Sequence, residues 1–289
     1  MKELYYKVAE HVFVLMTGEH ESLIGGLRQY EPFLTDATDN ITFRLEIVEE
    51  MPVTTFHEET KQEEEGQVIV IGHLDDGSSY FEFWLKNELC AVMIADKDYR
   101  QAQICLKGNW KFGLNNAFMV MYTIATANSQ TALFHSSVVS YQGKAYMFLG
   151  QSGTGKSTHS SLWLKYIEGT ELVNDDNPVV RIIDGVARVY GSPWSGKTPC
   201  YRNVVYPVGG IVKLDQAPYN EIKRLKGVRA YAAVVPSISG KRWDKKVADG
   251  LHETENLLAQ LVPVWHLDCL PDEAAARLCC NTCTHGKDA

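Results

Sequence analysis

Up to about residue 105 the chain carries its apolar positions in short runs separated by polar turns: HVFVLM (11–16), ITFRLEIVEE (41–50), GQVIVIGHL (66–74), SSYFEFWL (78–85), LCAVMIAD (89–96) and AQICLKG (102–108). Runs of this length and composition predict strands. Strict alternation within FRLEI (43–47) and YFEFWL (80–85) predicts half-buried antiparallel strands. The charge run HEETKQEEEG (57–66) shows no apolar period and reads as a solvated loop rather than a metal site.

Near residue 112 the pattern changes. GLNNAFMVMYTIATANSQ (113–130) has helical length, and after it the order becomes strand, turn, strand, glycine-rich loop, helix. ALFHSSVVS (132–140) and KAYMFLG (144–150) read as strands joined by a hairpin turn at YQGK (141–144). A helix is expected over 157–167, then strands at 171–174, 178–183 and 187–191, with Asp184-Gly185 as a turn. The Pro/Gly-rich loop GSPWSGKTPC (191–200) follows, then a strand at 209–214, a helix at 247–262, a strand at 262–270 and a last helix from Pro271. Two domains are expected: a smaller β-rich domain over 1–108 and an α/β (α+β) domain over 109–289.

Composition narrows the function classes. The 289 residues, 45% hydrophobic, suffice for real cores in one large or two modest domains. Net charge is −8, with no dense lysine/arginine stripe, so nucleic acid is not an expected partner. Glu3, Lys7, Glu10 and His11 interrupt the first apolar stretch, unlike a signal peptide. No stretch approaches the roughly 18–20 apolar residues of a membrane helix. A cytoplasmic protein without membrane contact is expected. Its seven cysteines are odd in number and scattered, which fits reduced thiols. CCNTCTH (279–285) lacks the second ligand pair of a zinc finger and reads as buried thiols near a helix end.

The candidate chemistry begins at GQSGTGKST (150–158). Gly150 to Ser157 fits G-x-x-x-x-G-K-[ST], with an apolar strand before it and a helix after it. Gly150, Gly153 and Gly155 let successive N–H groups turn inward around an anion, with Ser152, Thr154 and Thr158 in the same cradle. Lys156 would reach the terminal phosphates, and the Ser157 hydroxyl would be one ligand of a phosphate-bound Mg²⁺. The nucleophile elbow of a serine hydrolase needs G-x-S-x-G, and GQSGT fails its last position.

LVNDDNPVV (172–180) is the second element, and Asp175 follows Lys156 by only 19 positions. If this strand runs parallel to the one before the loop, both end at one sheet edge and the carboxylates reach the phosphates. One carboxylate then holds Mg²⁺, and the other takes a proton from an attacking hydroxyl.

The loop, one helix, an aspartate pair and the preceding histidine strand ALFHSSVVSYQGKAYMFLG together resemble the HPr kinase/phosphorylase superfamily and its phosphoenolpyruvate carboxykinase-like relatives. The likeness covers roughly 112–285 and is most specific over 133–196; GSPWSGK followed by YRNVVYP resembles the HPr-kinase-related subgroup. The resemblance implies a P-loop domain of mixed sheet with ATP and Mg²⁺ as cofactors. It implies Lys156 on phosphate, Ser157 on Mg²⁺, Asp175 as general base and Asp176 as metal ligand or second acid, with the last two roles interchangeable. It places His135 near the transferred phosphoryl group. Arg202 and Lys197 are candidates for neutralising transition-state charge, and Trp194 is either a small packing anchor or a lid over the site. The substrate motifs of true HPr kinases and of phosphoenolpyruvate carboxykinases are missing, so the acceptor does not carry over.

A kinase transferring the γ-phosphoryl group of ATP to a hydroxyl of a small molecule or peptide is therefore expected. The alternatives are a regulatory nucleotide-binding ATPase module without an acceptor and a degenerate, non-catalytic P-loop protein. Assembly as a homo-oligomer is left open.

Overall fold

The computed structural model describes residues 2–20, 25–52, 55–196 and 198–286. The chain forms two compact units, Met1–Thr126 and Ala127–Ala289, and its class is mixed α/β with two mixed sheets.

The first unit is an eight-stranded sheet of β1 (Glu3–Val8), β2 (His11–Met16), β3 (Phe43–Val48), β4 (His57–Glu64), β5 (Gln67–His73), β6 (Ser79–Leu85), β7 (Glu88–Ala95) and β8 (Gln101–Leu106), in the order β1-β2-β3-β8-β7-β6-β5-β4. Helix α1 (Trp110–Thr126) packs on β3, β6, β7 and β8. The approach is close because Gly113 faces the sheet: an added Cβ would stand 2.7 Å from the Cys90 carbonyl oxygen. Phe13, Phe43, Tyr30 and Phe118 fill the space beneath α1, and the buried Tyr122 Oη donates to the Val8 carbonyl.

Three features depart from the sequence expectations. The charge run at 57–66 is not a loop: β4 pairs with β5 from His57 to Glu64. It lies at the sheet edge with almost every side chain in water, so no apolar period is required of it. The sheet is also not wholly antiparallel, since β3 runs parallel to β2 and to β8. Finally, the division between units falls after Thr126, not near residue 108, because the apolar face of α1 closes the first sheet.

The second unit is built on β15 (Val205–Gln216), whose first residues pair with β14 (Val186–Tyr190) and whose later residues pair with β11 (Lys144–Leu149) and β17 (Val264–Cys269). Beyond β14 lie β13 (Val179–Ile183) and β9 (Thr131–Leu133); beyond β11 lie β10 (Ser136–Tyr141) and β12 (Glu171–Asp176); beyond β17 lies β16 (Glu221–Leu225). Strands β12, β11, β15 and β17 all run in one direction, β12 through two antiparallel pairings with β10 between. Their carboxyl ends share one edge. The β10–β11 hairpin turns at Gln142 and Gly143, both at positive φ, the two-residue geometry whose twist matches the strands.

Helices α2 (Lys156–Tyr166) and α5 (Glu273–His285) cover one face. Val139, Tyr146, Phe148, Val212, Trp265 and Leu267 meet Trp163 and Cys279 there. Cys280 and Cys283 belong to the same core, where burial pushes the Cys280 thiol up to about 11. Helices α3 (Val228–Val234) and α4 (Lys245–Leu261) pack against each other, α3 also on β15 and β17 and α4 on β9 and β14. Among the described residues no helix is long and apolar enough to cross a membrane.

Candidate functional site

β11 ends at Leu149, buried, and the chain turns sharply into α2 through Gly150 (φ 156°), Gly153 (φ 80°) and Gly155 (φ 106°). These angles belong to the left-handed region that side chains avoid, so the three glycines are what allows the loop its shape. Thr154 closes the turn by donating N–H (3.1 Å) and Oγ1 (2.7 Å) to the Gln151 carbonyl. Lys156 curls back over the loop, its Nζ 3.0 Å from the Gly150 carbonyl and 3.2 Å from that of Gln151. Ser152, Ser157 and Thr158 are exposed around the start of α2. The loop is exposed, a lysine is folded across it, and it lies at the positive end of a helix.

The aspartate pair stands two strands away. Ser137 pairs with Phe148 of β11 on one side and with Asp175 on the other; Ser136 pairs with Asp176. Phe148, Ser137 and Asp175 therefore share a row across the sheet and point to the α2 face. The buried Ser137 Oγ lies 2.6 Å from Ser160 Oγ, one turn along α2 from Lys156, and fixes helix to strand. Asp175 is 4% exposed. The bonds that anchor it run to its main-chain carbonyl, from the Gly196 N–H (2.6 Å) and the Ser195 Oγ (3.2 Å).

Asp176 is held differently. Its φ is 142°, and its Oδ1 lies 3.0 Å from His135 Nδ1 while its Oδ2 accepts from Asn177 Nδ2 at 2.8 Å. A carboxylate oxygen can only accept, so Nδ1 is the donor in this contact. His135 is fixed in turn by its N–H, which donates to the Ser237 carbonyl at 2.7 Å. Carboxylate and hydroxyl oxygens are the donors that hard divalent cations take. Asp176 and Ser157 carry oxygens of that kind.

The loop 191–200 folds back along the end of β12. Ser195 bridges Asp176, Asn174 Nδ2 donates to Ser192 Oγ (3.2 Å) and to the Trp194 carbonyl (3.1 Å), and Ser192 Oγ donates to the Asn177 carbonyl (2.5 Å). Trp194 is 1% exposed. It is a packing anchor that holds the carboxylate strand, not a lid. Arg202 is not brought to the site either: its guanidinium donates to the Leu172 carbonyl (2.6 Å) and pairs with Glu171 (2.7 Å), at the start of β12 and about 10 Å along the strand from Asp175. Lys197 lies outside the described residues.

Two features went unread in the sequence. Gln216, last in β15, donates from Nε2 to the Gly153 (3.2 Å) and Thr154 (3.4 Å) carbonyls and steadies the glycine loop from the side opposite the aspartates. Its neighbour Asp215 lies 2.7 Å from His266 Nε2 and 3.0 Å from Lys213 Nζ, with Asp268 Oδ1 3.7 Å from the same His266 nitrogen. Partial burial pushes Asp215 up, but the hydrogen bonds from Lys213 and His266 outweigh it and hold its carboxyl below the usual range. Asp215, His266 and Asp268 have metal-ligand chemistry within 4.8 Å of one another, yet Lys213 already supplies a counter-charge to Asp215. The available signal was the polar ending of GGIVKLDQ, a strand that otherwise reads as buried.

Comparison of the sequence with protein-family models and with curated proteins finds no match.

Proposed function

We propose that the second unit is an ATP- and Mg²⁺-dependent phosphotransferase domain of the HPr-kinase kind, passing the γ-phosphoryl group to a hydroxyl of a small molecule or peptide. The observation that carries this reading is the common edge: the glycine loop with Lys156 and the pair Asp175 and Asp176 end parallel strands with one strand between them. Two carboxylates there suit a metal ligand beside a base for an attacking hydroxyl.

In this reading the loop N–H groups and Lys156 hold the donor's phosphates. Ser157 and Asp176 hold Mg²⁺, which when bound would neutralise charge on the phosphates. Asp175, aimed to the α2 face and shielded from water, takes the acceptor's proton. His135 orients Asp176 through Nδ1. Asn174 and the loop 191–200 position both carboxylates without touching substrate.

ADP formation measured with and without a pool of hydroxyl compounds tests the proposal. Acceptor-dependent turnover that falls at least about 100-fold in Asp175→Asn supports it. ATP hydrolysis indifferent to every acceptor and undiminished in Asp175→Asn overturns it in favour of a regulatory ATPase.

A further inference from the structure

We propose a second ligand site in the Ala127–Ala289 unit: a pocket for a small phosphorylated molecule at the end of the sheet away from the glycine loop. β17 and β16 pair antiparallel there, with Arg224 opposite Trp265 and Leu225 opposite Val264. Trp265 lies four residues, about 13 Å, back along β17 from Cys269, which pairs with the loop-bound Gln216. The two sites therefore occupy opposite edges of one sheet.

A cavity of about 490 Å³ opens at that end, in the range of small-molecule pockets. Lys223, Arg224, Lys226 and Arg229 line it, Trp265 and Thr282 form part of its wall, and no carboxylate lines it. On a chain of net charge −8, a cavity lined by four cations and no anion reverses the average. Lys223 is paired with Glu221 at 2.7 Å, but among the described residues Arg224, Lys226 and Arg229 have no carboxylate partner. Like charges gathered without counter-ions repel one another, and an anion between them relieves that cost.

Arg224 gives the pocket its specificity. Its guanidinium sits over the Trp265 ring, 4.5 Å from the centroid, and its Nε is buried without a hydrogen-bond partner. The stacking fixes the planar fork, whose donor spacing matches two oxygens of a phosphate. The flexible Lys226 and the exposed Arg229 complete a charge set suited to a dianion. A nucleic-acid backbone wants cations strung along a track, whereas these converge on one concavity.

Calorimetric titration of the full chain with inorganic pyrophosphate tests the site, in a Lys156→Ala background that removes the loop's own phosphate ligand. One pyrophosphate per chain is expected to bind. Lys226→Ala with Arg229→Ala should weaken it by about tenfold or more, with thermal unfolding unchanged because both side chains are exposed. Arg224→Lys, which keeps the charge and loses the fork, should also weaken it. No binding in the Lys156→Ala protein, or binding untouched by these substitutions at matched ionic strength, overturns the proposal. Neither result depends on whether the glycine loop is a kinase site.

Discussion

Asp176 has a φ of 142°, a conformation that non-glycine residues seldom adopt and that costs on the order of 1–3 kcal/mol. The bonds from His135 and Asn177 hold it there. The letters NDD announce two acids after a strand, but they do not announce that the first is buried and the second twisted out to meet a histidine. That division arises from the β10 pairing and the 191–200 loop, which are long-range contacts. His159 makes the same point in the core. It was read only as a helical position, yet it is 3% exposed, packs edge-on to Phe148 and accepts from Trp163 Nε1 at 3.2 Å. Burial lowers its pKa from 6.5 to about 4. The unfolded chain therefore binds the extra proton between those values, and stability is full above pH 6.5 and declines as pH falls toward 4. The loss amounts to about 3 kcal/mol. Urea unfolding from pH 7 to 4 should show this limb, and His159→Gln should flatten it; an unchanged slope would mean other groups dominate.

At the scale of elements, the sequence spoke clearly where one face is buried and the other wet. Strands β2, β3 and β5 to β8 of the first unit, the β10–β11 hairpin and α2 are legible for that reason. Both β4 and β16 lie at sheet edges, where exposed side chains leave no period to read. The same loss of signal hides the pocket at Arg224, because its cations come from a strand, a turn and a helix. The 191–200 loop was legible only as punctuation, although its anchoring decides where the carboxylates sit. Gly191 is the tight point: its N–H donates to the Val204 carbonyl at 3.0 Å, and an added Cβ would run into the Arg202 carbonyl oxygen. Gly191→Ala should therefore destabilise the unit by about 2–3 kcal/mol in urea unfolding. A cost below about 0.5 kcal/mol would show that the loop yields freely.

The whole molecule comprises two compact units, and the candidate chemistry lies in the second. There, four parallel strands bring the glycine loop, the aspartates and Gln216 to one edge, and the cationic pocket lies at the other. Strand directions cannot be read from a sequence, and they are what turn two separated motifs into one candidate site. The central claim is that this edge works as a single nucleotide and metal site. Equilibrium binding of ATP, with and without Mg²⁺, tests it most directly. Mg²⁺ should tighten ATP binding to the wild type, Lys156→Ala should weaken it by about 100-fold, and Asp176→Asn should abolish the Mg²⁺ effect while retaining Mg²⁺-free binding. Equal affinity in all three proteins, whether or not Mg²⁺ is present, would contradict it.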